Sequence, residues 1–345
     1  MKQSLLEQFN AVLSSRRFTR FFDGVDFVLP DGTQTRIKIE SYSKPVRAEG
    51  YRFAKFSFVT KALTDLGVEG FGFGEGENRL LTFQKSIAEA VERAVYRSLK
   101  PILNLTSSNG WAAHLNEVKA NRSALTELVE RDAILAHWLT EKPFLEIDPA
   151  TFPEWLAAWR DRELTLAPDF NILRLLISTA GYAPVIQAVI QNATGFAFIS
   201  HGTSRSIDDA IYRALAEVCR IASGAIRNPE SATDAMLESP TSPWGHALFY
   251  AKNRQLPAWV FGKAIAFSEA KKIFDGQAFD PETIKPKFTS YRCAGLTVSR
   301  CESAKVQNLF WGRGDEALDR GFINLGRLKE VSSAFKLNAL PHCVP

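Results

Sequence analysis

One short phrase occurs twice in this chain, as Glu89-Ala90-Val91-Glu92-Arg93 and as Glu127-Leu128-Val129-Glu130-Arg131. At 3.6 residues per turn, glutamates at i and i+3 share one helical face, and the arginine lies about 100° round from the second glutamate. One copy alone reads as a solvated face with local ion pairs. Two copies with apolar flanks read differently: Ala88, Ala90 and Val91 surround the first set, and Leu125, Leu128 and Val129 the second. Carboxylates on such helices are partly buried, and buried like charges require cations. Glu89, Glu92, Glu127 and Glu130 can hold a hard divalent ion through oxygen, typically Mg²⁺ sharing the phosphate oxygens of a nucleotide. Arg93 and Arg131 can then pair with phosphate or lock the carboxylates bidentately.

Each phrase follows a small-residue turn, Gly74-Glu75-Gly76 or Ser108-Asn109-Gly110. Helical patterns run over Thr82–Leu99, with Pro101 as the expected stop, and over Glu117–Leu139. A third, Ile207–Ile226, has Ser206 as candidate N-cap and echoes the phrase as Ala214-Leu215-Ala216-Glu217. Gly70 to Gly76 reads as a glycine-dense loop. It lacks the Gly-Lys-Ser/Thr of a Walker loop and the spacing of a dinucleotide motif.

Strands are predicted at residues 51–60, Ile172–Ile177, Pro184–Gln191, Gly195–Ser200 and Gly295–Arg300. A hairpin turn at Pro30-Asp31-Gly32 is flanked by Phe27–Leu29 and Arg36–Ile39. A further short helix is expected around Trp155–Trp159. Strands in adjacent pairs, rather than in strict βαβ alternation, predict an α+β fold with antiparallel sheets. Residues 1–45, with a short amphipathic helix at Ser4–Leu13 and the hairpin, are expected as an N-terminal extension. Residues 46–345 are expected as the main domain, ending in a tail over 340–345.

The 345 residues suffice for a large core, and 42 basic against 38 acidic residues leave a net charge of +4. That is too mild for nucleic acid as the main partner. No two of the four cysteines form a CxxC pair, so free thiols in a reducing cytoplasm are expected. No signal-peptide core is seen near Met1, and no apolar run is long enough to span a bilayer. His137, His201 and His246 form no i,i+4 metal pair. With Trp111, Trp138, Trp155, Trp159, Trp311 and Cys219 they are read as structural.

Together the two phrases resemble the first and second ATP-binding motifs of the YcaO superfamily. Gly74-Glu75-Gly76 stands where that family has Gly-Lys-Gly. Residues 107–133 match the frame of the second motif, in which a Ser/Asn-Gly turn precedes Glu-x-x-Glu-Arg and Asp-Ala. Gly202 to Arg220 resembles an Ala-Leu-x-Glu segment, Arg254 and Phe261 a later Arg–Phe pair, and Thr297 to Gly312 a late strand and turn. The resemblance covers roughly residues 50–345. It implies a YcaO-like fold, with antiparallel sheets packed with long helices around a nucleotide site, and ATP and Mg²⁺ as cofactors. It places Glu89, Glu92, Glu127 and Glu130 on magnesium, and Arg93, Arg131, Glu217 and Lys119 with them around the nucleotide.

The implied chemistry is activation of a peptide amide by phosphorylation of its oxygen after a nucleophile has attacked its carbon. The expected product is an azoline ring in a ribosomally made precursor peptide. A thioamide- or amidine-forming enzyme and a non-catalytic supporting subunit are the alternatives. Expected partners are the precursor peptide, a leader-binding protein of the ubiquitin-activating-like type and, optionally, a dehydrogenase, in a homodimer or hetero-complex.

The chain departs from the family pattern at several places. Lys85 stands where Ser is usual, with Ser86 one along, and Glu75 replaces the Lys of Gly-Lys-Gly. Ala112, Leu115, Lys119 and Ser123 replace Ser, Asn, Glu and Gln before Glu127. Lys119 turns a ligand carboxylate into a cation. It can neutralise phosphate, Glu117 can substitute for the missing carboxylate, or nucleotide chemistry has been lost. Azoline-forming members commonly end in Pro-x-Pro-x-Pro; here the end is Pro341-His342-Cys343-Val344-Pro345. The expectation is a tail that inserts into the site, with Pro345 and His342 as catalytic residues and His342 as acid or base.

Overall fold

The computed structural model describes residues 21–28, 32, 34–42, 56–164, 169–227, 240–277, 279–293 and 296–344. Along the chain run β1 (Phe21–Val28), β2 (Gln34–Tyr42), β3 (Phe56–Thr64), β4 (Glu69–Gly76), α1 (Arg79–Leu103), β5 (Trp111–His114), α2 (Glu117–Thr140) and β6 (Phe144–Ile147). Then follow α3 (Glu154–Glu163), β7 (Ile172–Ile177), β8 (Ile186–Gln191), β9 (Ala197–Gly202), α4 (Ile207–Arg227), α5 (Pro243–Leu248), β10 (Phe261–Ile265) and α6 (Phe267–Gly276). The last elements are α7 (Pro281–Ile284), β11 (Lys287–Cys293), β12 (Leu296–Glu302), α8 (Gly314–Asp319) and α9 (Leu325–Val331). The described chain divides into two compact units. The first holds the segments up to Leu128 with Pro286–Glu302, and the second Val129–Lys285 with Ser303 onward.

The first unit contains an antiparallel sheet in the order β1-β2-β3-β4 and a second in the order β11-β12-β5. β1 and β2 form the expected hairpin, and β2 pairs with β3 from Ile37↔Thr64 to Tyr42↔Val59, so the hairpin strands belong to the same sheet as β3 and β4. The helix predicted at Ser4–Leu13, and Pro30 and Asp31 of the turn, lie outside the described residues.

The glycine-dense segment is a strand, not the loop that its composition suggests. In β4 the glycines at 70, 72 and 74 alternate with larger residues, so all three face one side. That side rests directly on the backbone of α1. A Cβ at Gly70 would collide with the Ala90 carbonyl, one at Gly72 with the Ser86 carbonyl and the Ala90 amide, and one at Gly74 with the Thr82 carbonyl. Two strand residues advance about 6.7 Å and four helix residues about 6 Å. The glycine period of two therefore keeps step with the small residues Thr82, Ser86, Ala90 and Ala94. Close approach, rather than flexibility, selects glycine here. Thr60 of β3 also meets Ser86, hydroxyl to hydroxyl at 2.8 Å.

Helix α1 begins at Asn78, whose Oδ1 accepts the Leu81 N–H at 3.1 Å, and ends at Asn104 in the left-handed region with φ 49°. It runs past Pro101, the expected stop. In the last turn a proline forfeits a single backbone bond, and the left-handed Asn104 is the actual terminator. Phe83, Ile87, Val91, Val95 and Leu99 pack with Phe58 and Trp111 in the core of this unit.

The second unit is built on a five-stranded sheet, β10-β6-β7-β8-β9, antiparallel except for the parallel β10–β6 pair. Its central strands are covered on both faces, which explains their continuous apolar runs. Leu175, Ile177, Ala188 and Ile190 share a core with Ile207, Ile211, Leu215 and Val218 of α4. Leu176, Val189 and Ile199, from the alternate positions, pack with Trp138 of α2, Tyr250, Phe310 and Val344. Ser206 caps α4 as expected, accepting the Asp209 N–H at 3.2 Å. Trp155, read as core, is 41 % exposed, because the buried stripe of α3 is Leu156, Trp159 and Glu163 and Trp155 sits at its edge. All four cysteines are free thiols.

His137, buried in this unit, is held in one tautomer. His137 donates Nδ1–H to the Lys142 carbonyl at 2.7 Å and accepts the Thr179 N–H on Nε2 at 3.0 Å. Burial holds its pKa down to about 3, and that of His246 to about 4. His201 and His342 are likewise pushed well below the usual value, by burial first.

Gly72→Ala is expected to destabilise the protein by about 3 kcal/mol or more, since neither backbone can yield. Gly276→Ala, whose Cβ meets nothing within 4 Å, should stay within about 0.5 kcal/mol. Thermal unfolding of the two variants checks this. For the histidines the folded pKa lies below the unfolded 6.5, so the unfolded chain takes up protons first. Their contribution is complete above pH 6.5 and is lost as pH falls from there toward 4, at up to about 1.4 kcal/mol per pH unit for each histidine. Urea unfolding at pH 7, 6 and 5 should show that decline, and His137→Gln should make it shallower.

Candidate functional site

The close β4–α1 contact sets the first part of the site. Glu89 of α1 is fixed by the strand it faces, its Oε2 accepting the Phe73 N–H at 2.9 Å. One turn on, Glu92 is 93 % buried, and its Oε1 has no hydrogen-bond partner; Arg93 Nε lies 3.5 Å away. Burial pushes the Glu92 carboxyl well above the usual range. Arg93 opposes this shift, while Glu127 and Glu89 add to it. Burial works against the charge of Arg93 as well, but Glu92, Glu127 and Glu89 outweigh it and its pKa is raised. Arg93 Nη1 also donates to the Ser108 hydroxyl. The first unit thus gathers Glu89, Glu92, Arg93 and Glu127 into one electrostatic cluster, with three carboxylates against one guanidinium.

Asn109 belongs beside these residues, and the sequence reading passed over it as part of a turn. It is buried, with both side-chain amide atoms unpartnered. The available signal was its place between Ser108 and Gly110. Gly110 adopts φ 74°, and its carbonyl accepts the Cys301 N–H at 2.8 Å, which anchors the turn to β12.

The second unit contains the other half of the α2 phrase. Arg131 Nη1 stands 4.0 Å from Glu130 Oε1, and its Nε and Nη1 are buried without hydrogen-bond partners. Glu217 of α4 is half-buried in an ion pair with Arg220 at 3.1 Å. Phe261 carries the Arg174 guanidinium 3.5 Å above its ring, and Arg254 is exposed.

The departures from the family pattern at Glu75, Lys85, Ala112, Leu115, Lys119 and Ser123 all lie in the first unit. Lys119 is exposed in the first turn of α2, where its backbone N–H is capped by Asn116 Oδ1 at 3.1 Å. Ala112 is buried in β5, opposite Ser299.

The tail runs through the interior of the second unit. Trp138 Nε1–H donates to the Leu340 carbonyl at 3.2 Å, Tyr250 OH to that of Pro341 at 2.7 Å, and His246 Nδ1–H to that of His342 at 3.0 Å. The acid–base role expected of His342 does not fit this arrangement. Its Nε2–H donates to the Phe310 carbonyl at 2.5 Å and its Nδ1 accepts the Val344 N–H at 3.2 Å. A fully buried, neutral imidazole with both nitrogens engaged holds the tail in place and has no proton or lone pair to exchange. Pro345 lies outside the described residues.

Among the described residues, no three His, Cys, Asp or Glu side chains converge to hold a metal ion by themselves. Magnesium does not require such a cage. It keeps waters and takes one or two carboxylates together with substrate phosphates. The unpartnered Glu92 oxygen, in the field of Glu89 and Glu127, fits a divalent cation carried on phosphate. The unpartnered N–H groups of Arg131 fit phosphate oxygens. Among the described residues, no helix is long and apolar enough to cross a membrane.

The family model described as YcaO cyclodehydratase, ATP- and Mg²⁺-binding, matches residues 85–282, more than half of the chain. Among solved structures the chain is similar to YcaO from Methanopyrus kandleri bound with AMPPCP and Mg²⁺, at 14 % identity over 82 % of this chain and 88 % of that one, with a TM-score of 0.55. It is similar to the E. coli microcin synthetase McbBCD complex with pro-MccB17 bound, at 12 % identity over 77 % and 87 %, with a TM-score of 0.51. A heterocyclase in complex with substrate and cofactor matches at 14 % identity over 88 % of this chain and 54 % of that one, with a TM-score of 0.52. No curated protein matches the chain. At such identities the solved structures support the α+β, YcaO-like fold, and the family assignment rests on the matched sequence. The chain belongs to the YcaO family, whose cofactors are ATP and Mg²⁺.

Proposed function

We propose that the chain is an ATP-dependent enzyme that activates backbone amides of a ribosomally made precursor peptide and forms azoline rings in it. The observation that carries this reading is the buried, unpartnered carboxylate of Glu92 in the company of Glu89 and Glu127. An isolated protein gains nothing from such a cluster; a cation that arrives with its nucleotide relieves it.

Bound ATP supplies the phosphoryl group that makes the amide oxygen a leaving group. The chain's own residues bind, orient and exclude water. Glu89, fixed by the Phe73 N–H, and Glu92 would hold magnesium that arrives on the nucleotide phosphates, with Glu127 adding to the negative field. Arg93, tethered to Ser108, balances the carboxylates. Arg131 would offer its unpartnered Nε–H and Nη1–H to phosphate oxygens. Positioning and fixed charge of this kind are sufficient for phosphoryl transfer without a protein nucleophile.

The proline-bearing tail, buried through Val344, favours azoline formation over thioamide or amidine products. A partner that delivers the precursor fits the multi-subunit microcin synthetase to which the chain is similar. A second reading, a non-catalytic subunit in such a complex, draws support from Lys119, an exposed cation where the family carries a carboxylate.

Incubation with ATP, Mg²⁺, the precursor peptide and its delivering partner should remove one water per modified residue by mass. Oxygen-to-sulfur exchange would indicate a thioamide former, and no mass change together with no nucleotide binding would indicate the supporting subunit. Glu92→Gln should lower the rate by about 100-fold or more, the scale expected for a lost fixed charge at the reacting group. The same variant should lose the thermal stabilisation that Mg²⁺-ATP gives the wild type. Without nucleotide it should melt at an equal or higher temperature, because a buried repulsion is gone.

A further inference from the structure

The proposed reaction does not yet use the pair of histidines that encloses the tail in the second unit. His246 of α5 and His342 of the tail are both buried, with ring centroids 4.2 Å apart, and Trp311 stands edge-on to His246 at 5.1 Å. His246 Nε2 accepts the Gly312 N–H at 3.0 Å, so its proton sits on Nδ1 and goes to the His342 carbonyl at 3.0 Å. His342 Nδ1 accepts the Val344 N–H at 3.2 Å, so its proton sits on Nε2 and goes to the Phe310 carbonyl. The four bonds close a circuit that runs from the loop at 310–312 to His246, on to the tail, and back to the loop.

Every partner in this circuit is a backbone group whose polarity cannot reverse, so each imidazole admits one tautomer and one charge state. A proton added to His246 Nε2 would face the Gly312 N–H, and one added to His342 Nδ1 would face the Val344 N–H. Gly312 presents its N–H from a left-handed turn, at φ 106°. Burial holds the pKa of His246 down to about 4, against the pull of the His342 and Pro240 carbonyls. Burial also pushes His342 well below the usual value; His246, Arg131 and His201 add to this shift, and the Phe310 carbonyl opposes it. Tyr250, which donates to the Pro341 carbonyl, and Cys343 are kept neutral by burial. The Glu316 carboxylate lies across the Gly312 turn, where its Oε2 would stand 3.1 Å from a Cβ.

We propose that His246 is a positioning residue for the C-terminal tail: through His342, the neutral His246 imidazole fixes the course of residues 342–344 against the 310–312 loop. This rests on the reading of the chain as an azoline-forming enzyme, to which it adds the group that holds the tail in its working position. Trp138 and Tyr250 hold the carbonyls of Leu340 and Pro341 and do not titrate below pH 7, so only the last residues depend on the imidazoles. Both imidazoles are neutral in the clasped tail, and on release they return toward the ordinary value of about 6.5. The released form therefore takes up the protons. The clasp is complete above about pH 6.5 and weakens as pH falls from there toward 4.

Cys343, buried in the clasped tail, reports release, and Cys219, buried on α4, reports unfolding of the unit. The full-length protein is treated with dithiodipyridine at pH 7 and pH 5, the labelled cysteines are mapped by mass, and rates are referred to a synthetic peptide of the tail. Cys343 should react about twentyfold faster or more at pH 5, the shift for one histidine returning from about 4 to 6.5, while Cys219 stays protected. His246→Asn keeps an amide donor at the δ position and cannot take up a proton; it should protect Cys343 at pH 7 and shrink that rise. His246→Phe keeps the ring volume and loses both bonds, so Cys343 should react at pH 7 as fast as in the wild type at pH 5. The Phe variant should also form azoline about tenfold more slowly, the scale of one lost buried hydrogen bond, with its stabilisation by Mg²⁺-ATP unchanged. Cys343 labelling that is equal at the two pH values, or that rises only together with Cys219, overturns the proposal, as does a folded His246→Phe with Cys343 still protected. If the labelling follows expectation but the wild type removes no water from the peptide, the clasp stands and the azoline reading falls. Wild-type azoline formation by His246→Phe with Cys343 exposed removes the positioning role and leaves the azoline reading intact.

Discussion

The contact between the backbone of β4 and the backbone of α1 is the constraint on which the first unit depends. Three glycines in alternate strand positions let the helix lie closer than any side chain would permit. That closeness places the Phe73 N–H within reach of Glu89, and it leaves Glu92 one turn further along in a dry environment. A strand with ordinary residues at 70, 72 and 74 would push the helix outward, and the carboxylates would become a solvated face. The glycines therefore do electrostatic work through packing: they carry no charge, yet they determine how much water the glutamates see.

A site of this type costs the protein stability until it is filled. Glu92, with an unmade hydrogen bond and like charges nearby, and Arg131, with two unmade donors, are groups that a structure built for stability alone would pair. Elsewhere the chain does pair such groups. Asp132 and Arg327 are both buried and meet at 2.8 Å, with the Gln307 N–H at 2.7 Å completing the carboxylate. On α2 the satisfied Asp132 follows directly on the unsatisfied Arg131, and that contrast separates architecture from binding site.

Much of the helical framework was legible because long amphipathic periods are local. Glu117–Thr140 and Ile207–Arg227 matched their patterns closely, and Ser206 caps as a serine in that position should. The errors came where local composition was read without its neighbours. Gly70 to Gly76 reads as a loop on composition and is a strand because a helix backbone lies against it. Pro101 reads as a stop, but its only penalty falls in a turn that was about to end. Trp155 reads as core by size and is displaced by Leu156 and Trp159, which define the buried stripe. His342 reads as an acid or base by residue type, and its two nitrogens are taken by Phe310 and Val344.

The sequence by itself determined the family and the pair of charged phrases, because identity and i,i+3 spacing are local properties of the chain. Tertiary structure alone decided which of those charges are starved of partners. Glu92 and Arg131 occupy the same kind of position in their phrases as many exposed residues do, and only the elements packed around them remove their water. It also decided that Asn109, Gln187 and His201 lie buried with unmade hydrogen bonds. Desolvation is the sum of contacts made by residues far apart in the chain, so no window of sequence contains it.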